Sequence, residues 1–208
     1  MEKPEHGLDY IALIVFAKTL DSPVKTRIAR TEGKKAADRI YRELLHATAK
    51  ALNGFPYYVA FAGGRIPGGL ITIFGNAASF FPQTGNNLGL RMKNACLYCH
   101  GLGFARFIVI GCDCPERTQD DFLLAANALE HGCNVVLGPV NDGGYHLAGV
   151  DMQGLEIFNA TSWSTEKLLK ETLTIVQERN LKVSLLPMRN DIDTFKDYRS
   201  WKSAGKNT

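Results

Sequence analysis

The chain has 208 residues, 45% of them hydrophobic and 22% charged, the balance of one ordinary globular domain with a sizeable core and not of a disordered or fibrous polypeptide. Its formal net charge of +3 is small, and no long basic tract exists outside the short segment VKTRIAR, so composition argues against a nucleic acid partner and for a small anionic ligand at that cluster. Five cysteines form no secreted disulfide framework, the start MEKPEHGLDY has no signal-peptide core, and no apolar run reaches the roughly 18 residues of a membrane span; the expectation is a cytoplasmic protein with reduced thiols and no membrane partner.

The apolar run Tyr10 to Ala17 predicts a first strand, and Lys34 to Leu52 a helix, with Ala37, Ile40, Leu44, Leu45, Ala47 and Ala51 at helical spacing. Tyr57 to Ala62 predicts a second strand. It runs into FAGGRIPGG, Phe61 to Gly69, which opens no clear helix and reads as a turn and mobile connection. Leu88, Met92, Ala95 and Cys99 mark a helix over Asn87 to Gly101. Cys96, Cys99 and His100 within it raise a zinc or redox reading, but no second cysteine pair stands at matching spacing, and the periodicity puts the thiols on or beside a buried face.

Arg106 to Asp113 predicts a strand, and Thr118 to Gly132 a helix opened by a capping-box pattern, Thr118 to Asp121. Strands NVVLGP and YHLAGV follow, then a helix from near Ser164, a strand KVSLLP and a last helix over Thr194 to Ala204. Near-continuous apolar strands alternating with amphipathic helices predict a single α/β domain over residues 1–208, a Rossmann-like three-layer αβα sandwich with a mostly parallel central sheet. In such sheets ligands bind outside the carboxyl ends of the strands.

The residues at those ends are therefore the candidates. Lys18, Lys25, Arg27 and Arg30 follow the first strand; Asp113 follows RFIVIG; Asp142, Gly143, Gly144 and Tyr145 follow NVVLGP; Asp191 and Asp193 follow KVSLLP. Cations at one strand end and carboxylates at the others suit a polyphosphate bridged by a divalent cation such as Mg²⁺, although each charge taken singly also fits a solvated loop. Neither G-x-G-x-x-G after the first strand nor G-x-x-x-x-G-K-[ST] is present, so dinucleotide and P-loop readings have no support. No Ser/His/Asp or Cys/His set suggests a protein nucleophile. His46 and His131 read as structural, and alternation does not settle which side His146 takes.

The stretch VVLGPVNDGGYHLAGV joins two strands through Asp-Gly-Gly-Tyr. Asp142 is placed to reach an acceptor or a metal-bound water, Gly143 and Gly144 to let backbone approach a ligand, and Tyr145 to wall the pocket; the same residues form a strong hairpin turn signal, and both readings can hold. Trp163 stands before a helix, where it either stacks on a base or sugar or packs, with Ser164 and Thr165 as capping hydroxyls.

The ordered motifs VFAK…VKTRIA, QTGNNLGLRM, VIGCDCP, LGPVNDGGYHLAGV, SWSTEKLLKETL and LLPMRNDIDTFKDY, from about Ile14 to Trp201, closely resemble a bacterial glycosyltransferase-A-like family of the nucleotide-diphospho-sugar transferase superfamily. More distantly the chain is similar to phospholactate and molybdenum-cofactor guanylyltransferases. The resemblance implies that Lys18, Lys25 and Arg27 meet nucleotide phosphates, that Asp113 is the metal-binding aspartate with Asp193 completing the site, and that Asp142, Gly143, Gly144 and Tyr145 form an active-site loop. The family's first loop commonly reads P-x-x-G before V-K-T-R; here Leu20-Asp21-Ser22-Pro23 replaces it, losing a glycine and adding a carboxylate.

The implied function is a Mg²⁺- or Mn²⁺-dependent transferase with catalytic Asp113 and Asp142. It would use a nucleotide-activated donor, first of all a nucleoside triphosphate in nucleotidyl transfer to a small phosphorylated acceptor. A glycosyltransferase using a nucleotide sugar is the alternative, but such enzymes typically present Asp-x-Asp at the central strand end, where this chain has Cys112-Asp113-Cys114. The altered first loop also admits a non-catalytic nucleotide-binding module. Base, acceptor and oligomeric state stay open at this level.

Overall fold

The computed structural model describes residues 10–63 and 68–204; the polar start and residues 64–67 of the glycine-rich connection lie outside the described residues. The chain runs β1 (Ile11–Lys18), α1 (Thr26–Glu32), α2 (Lys34–Ala51), β2 (Tyr57–Ala62), α3 (Gly68–Ile73), β3 (Ser79–Pro82), α4 (Leu88–Gly101) and β4 (Arg106–Ile110). It continues through α5 (Gln119–Glu130), β5 (Val135–Pro139), β6 (Tyr145–Asp151), a 3₁₀ turn at Gly154–Asn159, α6 (Leu168–Glu178), β7 (Val183–Leu185) and α7 (Phe195–Ala204).

The strands form one seven-stranded sheet in the order β3-β2-β1-β4-β6-β5-β7. Every neighbouring pair is parallel except those of β6, which runs antiparallel to both β4 and β5. The mostly parallel α/β architecture expected from the apolar runs is what the chain adopts. Alternation along β1 explains why: Leu13 and Val15 enter one core with Leu45, Phe74 and Phe122, while Ala12 and Ile14 enter another with Met92, Cys96 and Phe158. A strand buried on both faces has no polar side to show.

Chain order reverses beside β1: β2 and β3 spread to one side, and β4 returns to pair on the other with Val15 opposite Ile110. The carboxyl ends of β1 and β4 therefore lie together at the switch point, the place where open α/β sheets leave a crevice. Tyr41 of α2 fixes this end of β1. Its buried hydroxyl accepts from Lys18 N–H (2.8 Å) and donates to Lys18 C=O (3.1 Å). Tyr41→Phe is expected to cost about 1 to 2 kcal/mol, read as a lower urea midpoint at unchanged slope.

Several expectations need correction. The connection after β2 does open a helix, α3, whose Leu70 packs into the core together with Phe74 just beyond the helix end. Helix α1 gives no periodic signal in the sequence because Ile28 is its one fully buried position. The strand β3 gives none either, being a four-residue edge that ends in proline. The helix expected from Ser164 starts at Leu168 instead: Ser164 takes a left-handed conformation (φ 64°), and Thr165 and Leu168 N–H groups close successive turns on Ser162 and Thr165 carbonyls.

Candidate functional site

From Lys18 the chain turns through Thr19 to Ser22, with Ser22 N–H on the Thr19 carbonyl (3.0 Å), and Asp21 faces solvent. Lys25 then adopts a left-handed conformation (φ 45°) before α1. That kink turns its side chain inward, where only 5% of it is exposed and the ammonium sits 2.7 Å from Asp113 Oδ1. The same ammonium donates to the Ile192 carbonyl, and Ile192 N–H donates to the Asp113 carbonyl (2.8 Å). Three loops, after β1, β4 and β7, thus close on one ion pair. Arg27, near the start of α1, makes an exposed pair with Asp193 (2.9 Å).

At the end of β4, Asp113 is half-exposed while Cys112 and Cys114 on either side are buried. Burial pushes both thiols up to about 12, so they pack as neutral groups and leave one charged side chain at this strand end. Behind it lies Arg117, buried without a carboxylate in contact among the described residues. It donates to the Gly111 carbonyl (3.1 Å), the His146 carbonyl (2.9 Å) and His146 Nδ1 (3.2 Å). Burial and the Arg117 charge lower His146 to about 3, so its imidazole is a neutral acceptor that aims this guanidinium.

The Asp-Gly-Gly-Tyr segment is indeed the turn of the β5–β6 hairpin. Asp142 Oδ1 accepts from Gly144 N–H (3.0 Å), and Val140 N–H donates to the Gly144 carbonyl across the turn (3.1 Å). Gly143 has φ 83°, and a Cβ there would lie 2.1 Å from the Glu166 carbonyl oxygen, so the turn is pressed against the segment before α6 and only glycine fits. Glu171 of α6 fixes the neighbouring segment by accepting from Thr161 and Ser162 N–H groups (both 2.8 Å); hydrogen bonding to Ser162, its side chain first, and to Thr161 holds its carboxyl at about 2. Trp163 follows, packed edge-to-face on Tyr145 with centroids 6.2 Å apart.

Asp191 is the least comfortable group of the region. Its Oδ1 is buried with no hydrogen-bond partner among the described residues. Burial first, then the neighbouring charge of Asp113, raise its carboxyl to about 7, against the pull of Arg117 and Lys25; Asp142 adds to the rise. The other buried, unpaired polar atoms on the cavity wall are turned into the protein: Tyr145 Oη toward Thr172, His146 Nε2 toward Gly138, Trp163 Nε1 toward Gly89.

Lys18, Lys25, Arg27, Asp113, Asp142, Gly144, Tyr145, Trp163 and Asp193 all line one open cavity of about 510 Å³ at the carboxyl ends of β1 and β4, and Gly143 shapes its wall from behind. Asp21, the carboxylate that the first loop gains, is exposed and is not on the lining. A lobe of about 270 Å³ adjoins, walled by Tyr41, Gln83 and Arg91, where Gln83 donates its side-chain amide to the Ala60 carbonyl (3.0 Å). Residue spacing passes over Arg117 and ranks Asp193 above Asp191. A buried guanidinium held by carbonyls leaves no signal in the sequence.

Among the described residues no three His, Cys, Asp or Glu side chains converge into a ready metal cage. The donor set nevertheless fits a hard cation: the available groups are carboxylates, and Asp191 Oδ1 is a buried acceptor without a donor. Mg²⁺ commonly binds through one or two carboxylates with water and substrate phosphates completing its shell, which asks for no cage.

The fold is of the nucleotide-diphospho-sugar transferase type, as a solved structural neighbour shows. A provisionally named nucleotide-diphospho-sugar transferase of Desulfovibrio desulfuricans G20 superposes with a TM-score of 0.87 at 26% identity, over 96% of this chain and 89% of that one. A cytidylyltransferase of Leptospira borgpetersenii gives 0.64 at 14% identity, over 96% and 87%. A Mycobacterium tuberculosis protein, Rv0371C, solved as a manganese complex, gives 0.55 at 12%, over 92% and 97%. Residues 44–165, more than half of the chain, match the family described as "Uncharacterized protein conserved in bacteria (DUF2064)", and the chain belongs to that family. No curated protein matches it. Among the described residues no helix is long and apolar enough to cross a membrane.

Proposed function

We propose that this chain is a divalent-metal-dependent nucleotidyltransferase that moves a nucleotidyl group from a nucleoside triphosphate to a small phosphorylated acceptor. The observation that carries the reading is the pairing of Lys25 with Asp113 and Arg27 with Asp193 at the mouth of one cavity. Cations and carboxylates that neutralise each other without ligand can exchange partners when a metal–triphosphate arrives, the cations turning to phosphate oxygens and the carboxylates to the metal. Such an exchange separates no charge without replacing it. The single strand-end carboxylate between two neutral thiols favours this over sugar transfer.

Asp113 and Asp193 would hold Mg²⁺ or Mn²⁺, with Asp191 adding a carboxylate nearby. Once bound, the metal would neutralise phosphate charge and polarise the phosphorus under attack. In the reaction an ionised acceptor oxygen bonds to the α-phosphorus as the bond to pyrophosphate breaks, so no side chain need take a proton. Lys18 and Lys25 would neutralise the departing pyrophosphate, with Arg27 meeting phosphate oxygens at the cavity's edge. The Asp142 turn would position the acceptor, and Trp163 with Tyr145 would wall the site against water.

Because the metal shell needs substrate oxygens, binding is expected to be synergistic. Mg²⁺ alone and a triphosphate alone should each shift the melting temperature little, and together substantially; at about 100-fold excess over Kd the gain is roughly 2.7 kcal/mol. The deciding assay supplies Mg²⁺ and phosphorylated acceptors to a panel of triphosphates and nucleotide sugars. Pyrophosphate release from at least one triphosphate is the expected result. Nucleoside diphosphate released only from a nucleotide sugar would establish the glycosyltransferase instead, and tight binding with neither product a binding module.

A further inference from the structure

A second, shallower cavity opens between α1 and α7, beside the first. Arg27 and Thr31 stand one turn apart on α1, and Lys196, Arg199 and Ser203 follow one face of α7. Arg27 lines both cavities, so its ion pair with Asp193 stands on the boundary between them. Below the groove Ile28, Ile40, Leu44, Ile192 and Tyr198 pack as one apolar cluster, giving the two helices a fixed floor.

The carboxylates that would ordinarily neutralise this cluster are committed. Asp197 accepts from Thr194 N–H (2.7 Å), Thr194 Oγ1 (2.8 Å) and Asp193 N–H (3.2 Å) at the start of α7. Glu43 takes Lys202 (3.1 Å) and the Tyr198 hydroxyl (3.0 Å). Among the described residues neither Lys196 nor Arg199 has an ion-pair partner, although seven other such pairs form. Glu32 is the single carboxylate on the groove's wall among the described residues.

We propose that this groove binds the phosphate group of the acceptor, with Lys196 and Arg199 as its cations and Arg27 shared with the donor cavity. That the phosphate belongs to an acceptor rests on the transferase reading above; the groove's affinity for phosphate does not. The hydroxyls of Thr31 and Ser203 donate inward, to the Ile28 (3.3 Å) and Arg199 (2.9 Å) carbonyls, so charge and the guanidinium fork must do the binding. A site built that way prefers a dianionic phosphate to a monocarboxylate and weakens with salt.

The test titrates inorganic phosphate, and separately acetate, into isotope-labelled protein while following backbone amides. Phosphate is expected to shift amides of α7 at Lys196 to Ser203. The variant Lys196→Gln/Arg199→Gln changes two exposed side chains that make no hydrogen bond among the described residues, and it is expected to weaken that binding about tenfold or more. Shifts confined to donor-cavity residues such as Gly144, an unaltered affinity in the double variant, or acetate binding as tightly as phosphate would each overturn the assignment. A failed pyrophosphate assay would sink the nucleotidyltransferase reading and leave this phosphate result standing.

Discussion

Asp113→Asn is expected to lower metal-dependent pyrophosphate release by about 10² to 10³-fold or more, because it removes the charge at the end of β4 that would meet the metal while keeping the side chain's shape. A stability cost should accompany it. Lys25 is 5% exposed and its other contact is the Ile192 carbonyl, so without Asp113 a nearly buried ammonium loses its counter-charge. Asp113 itself is 49% exposed, which admits water and holds the penalty to about 1 to 2 kcal/mol. The two effects separate by measuring binding and turnover well below the variant's melting temperature. Wild-type dependence on Mg²⁺ in the folded variant would remove Asp113 from the metal site. Lys25→Met supplies the complement: by freeing Asp113 it should weaken triphosphate binding more than metal binding, whereas equal loss of both would make Lys25 a clip between loops and nothing more.

How much of this is legible before folding depends on where each signal resides. Strand β2 is legible to the residue, because Tyr57 to Ala62 is uninterrupted and bounded by Pro56 and Gly63. The hairpin after β5 is readable from Asp142-Gly143, and it makes β6 antiparallel within an otherwise parallel sheet. The strand-end carboxylates are visible because each follows an apolar run. What spacing cannot supply is direction. Asp191 and Asp193 lie two residues apart on one loop, and only the bonds of Ile192 to Asp113 and Lys25 explain why one faces inward while the other reaches Arg27 at the surface. Arg117 is the stronger case: its bonds run to backbone carbonyls and to an imidazole 29 residues away, a pairing that exists only once β4 and β6 are side by side.

Asp191→Asn is expected to stabilise the protein at pH 8 and to impair it as an enzyme. The carboxyl is raised to about 7 by burial and by Asp113, whereas in the unfolded chain it titrates near its ordinary value of about 4. Between those values the native state keeps a proton that the unfolded state has released, so stability from this group falls as pH rises from about 4 to about 7, and above 7 the whole penalty is present. A rise of that size corresponds to roughly 4 kcal/mol. Asparagine has the same shape, carries no charge and should recover much of it. Guanidinium midpoints at pH 5 and pH 8 therefore supply the measurement: the variant should gain about 2 to 4 kcal/mol at pH 8 and about a third of that at pH 5, and an equal effect at both values would mean that the buried charge is not the cause. Wild-type protein at pH 8 should win back the same stability from Mg²⁺ with triphosphate, since a cation nearby relieves the repulsion among Asp113, Asp142 and Asp191, while the variant should gain less. If the occupied site uses the charge of this carboxylate, the larger gain from ligand in wild type than in the variant is how that use would show.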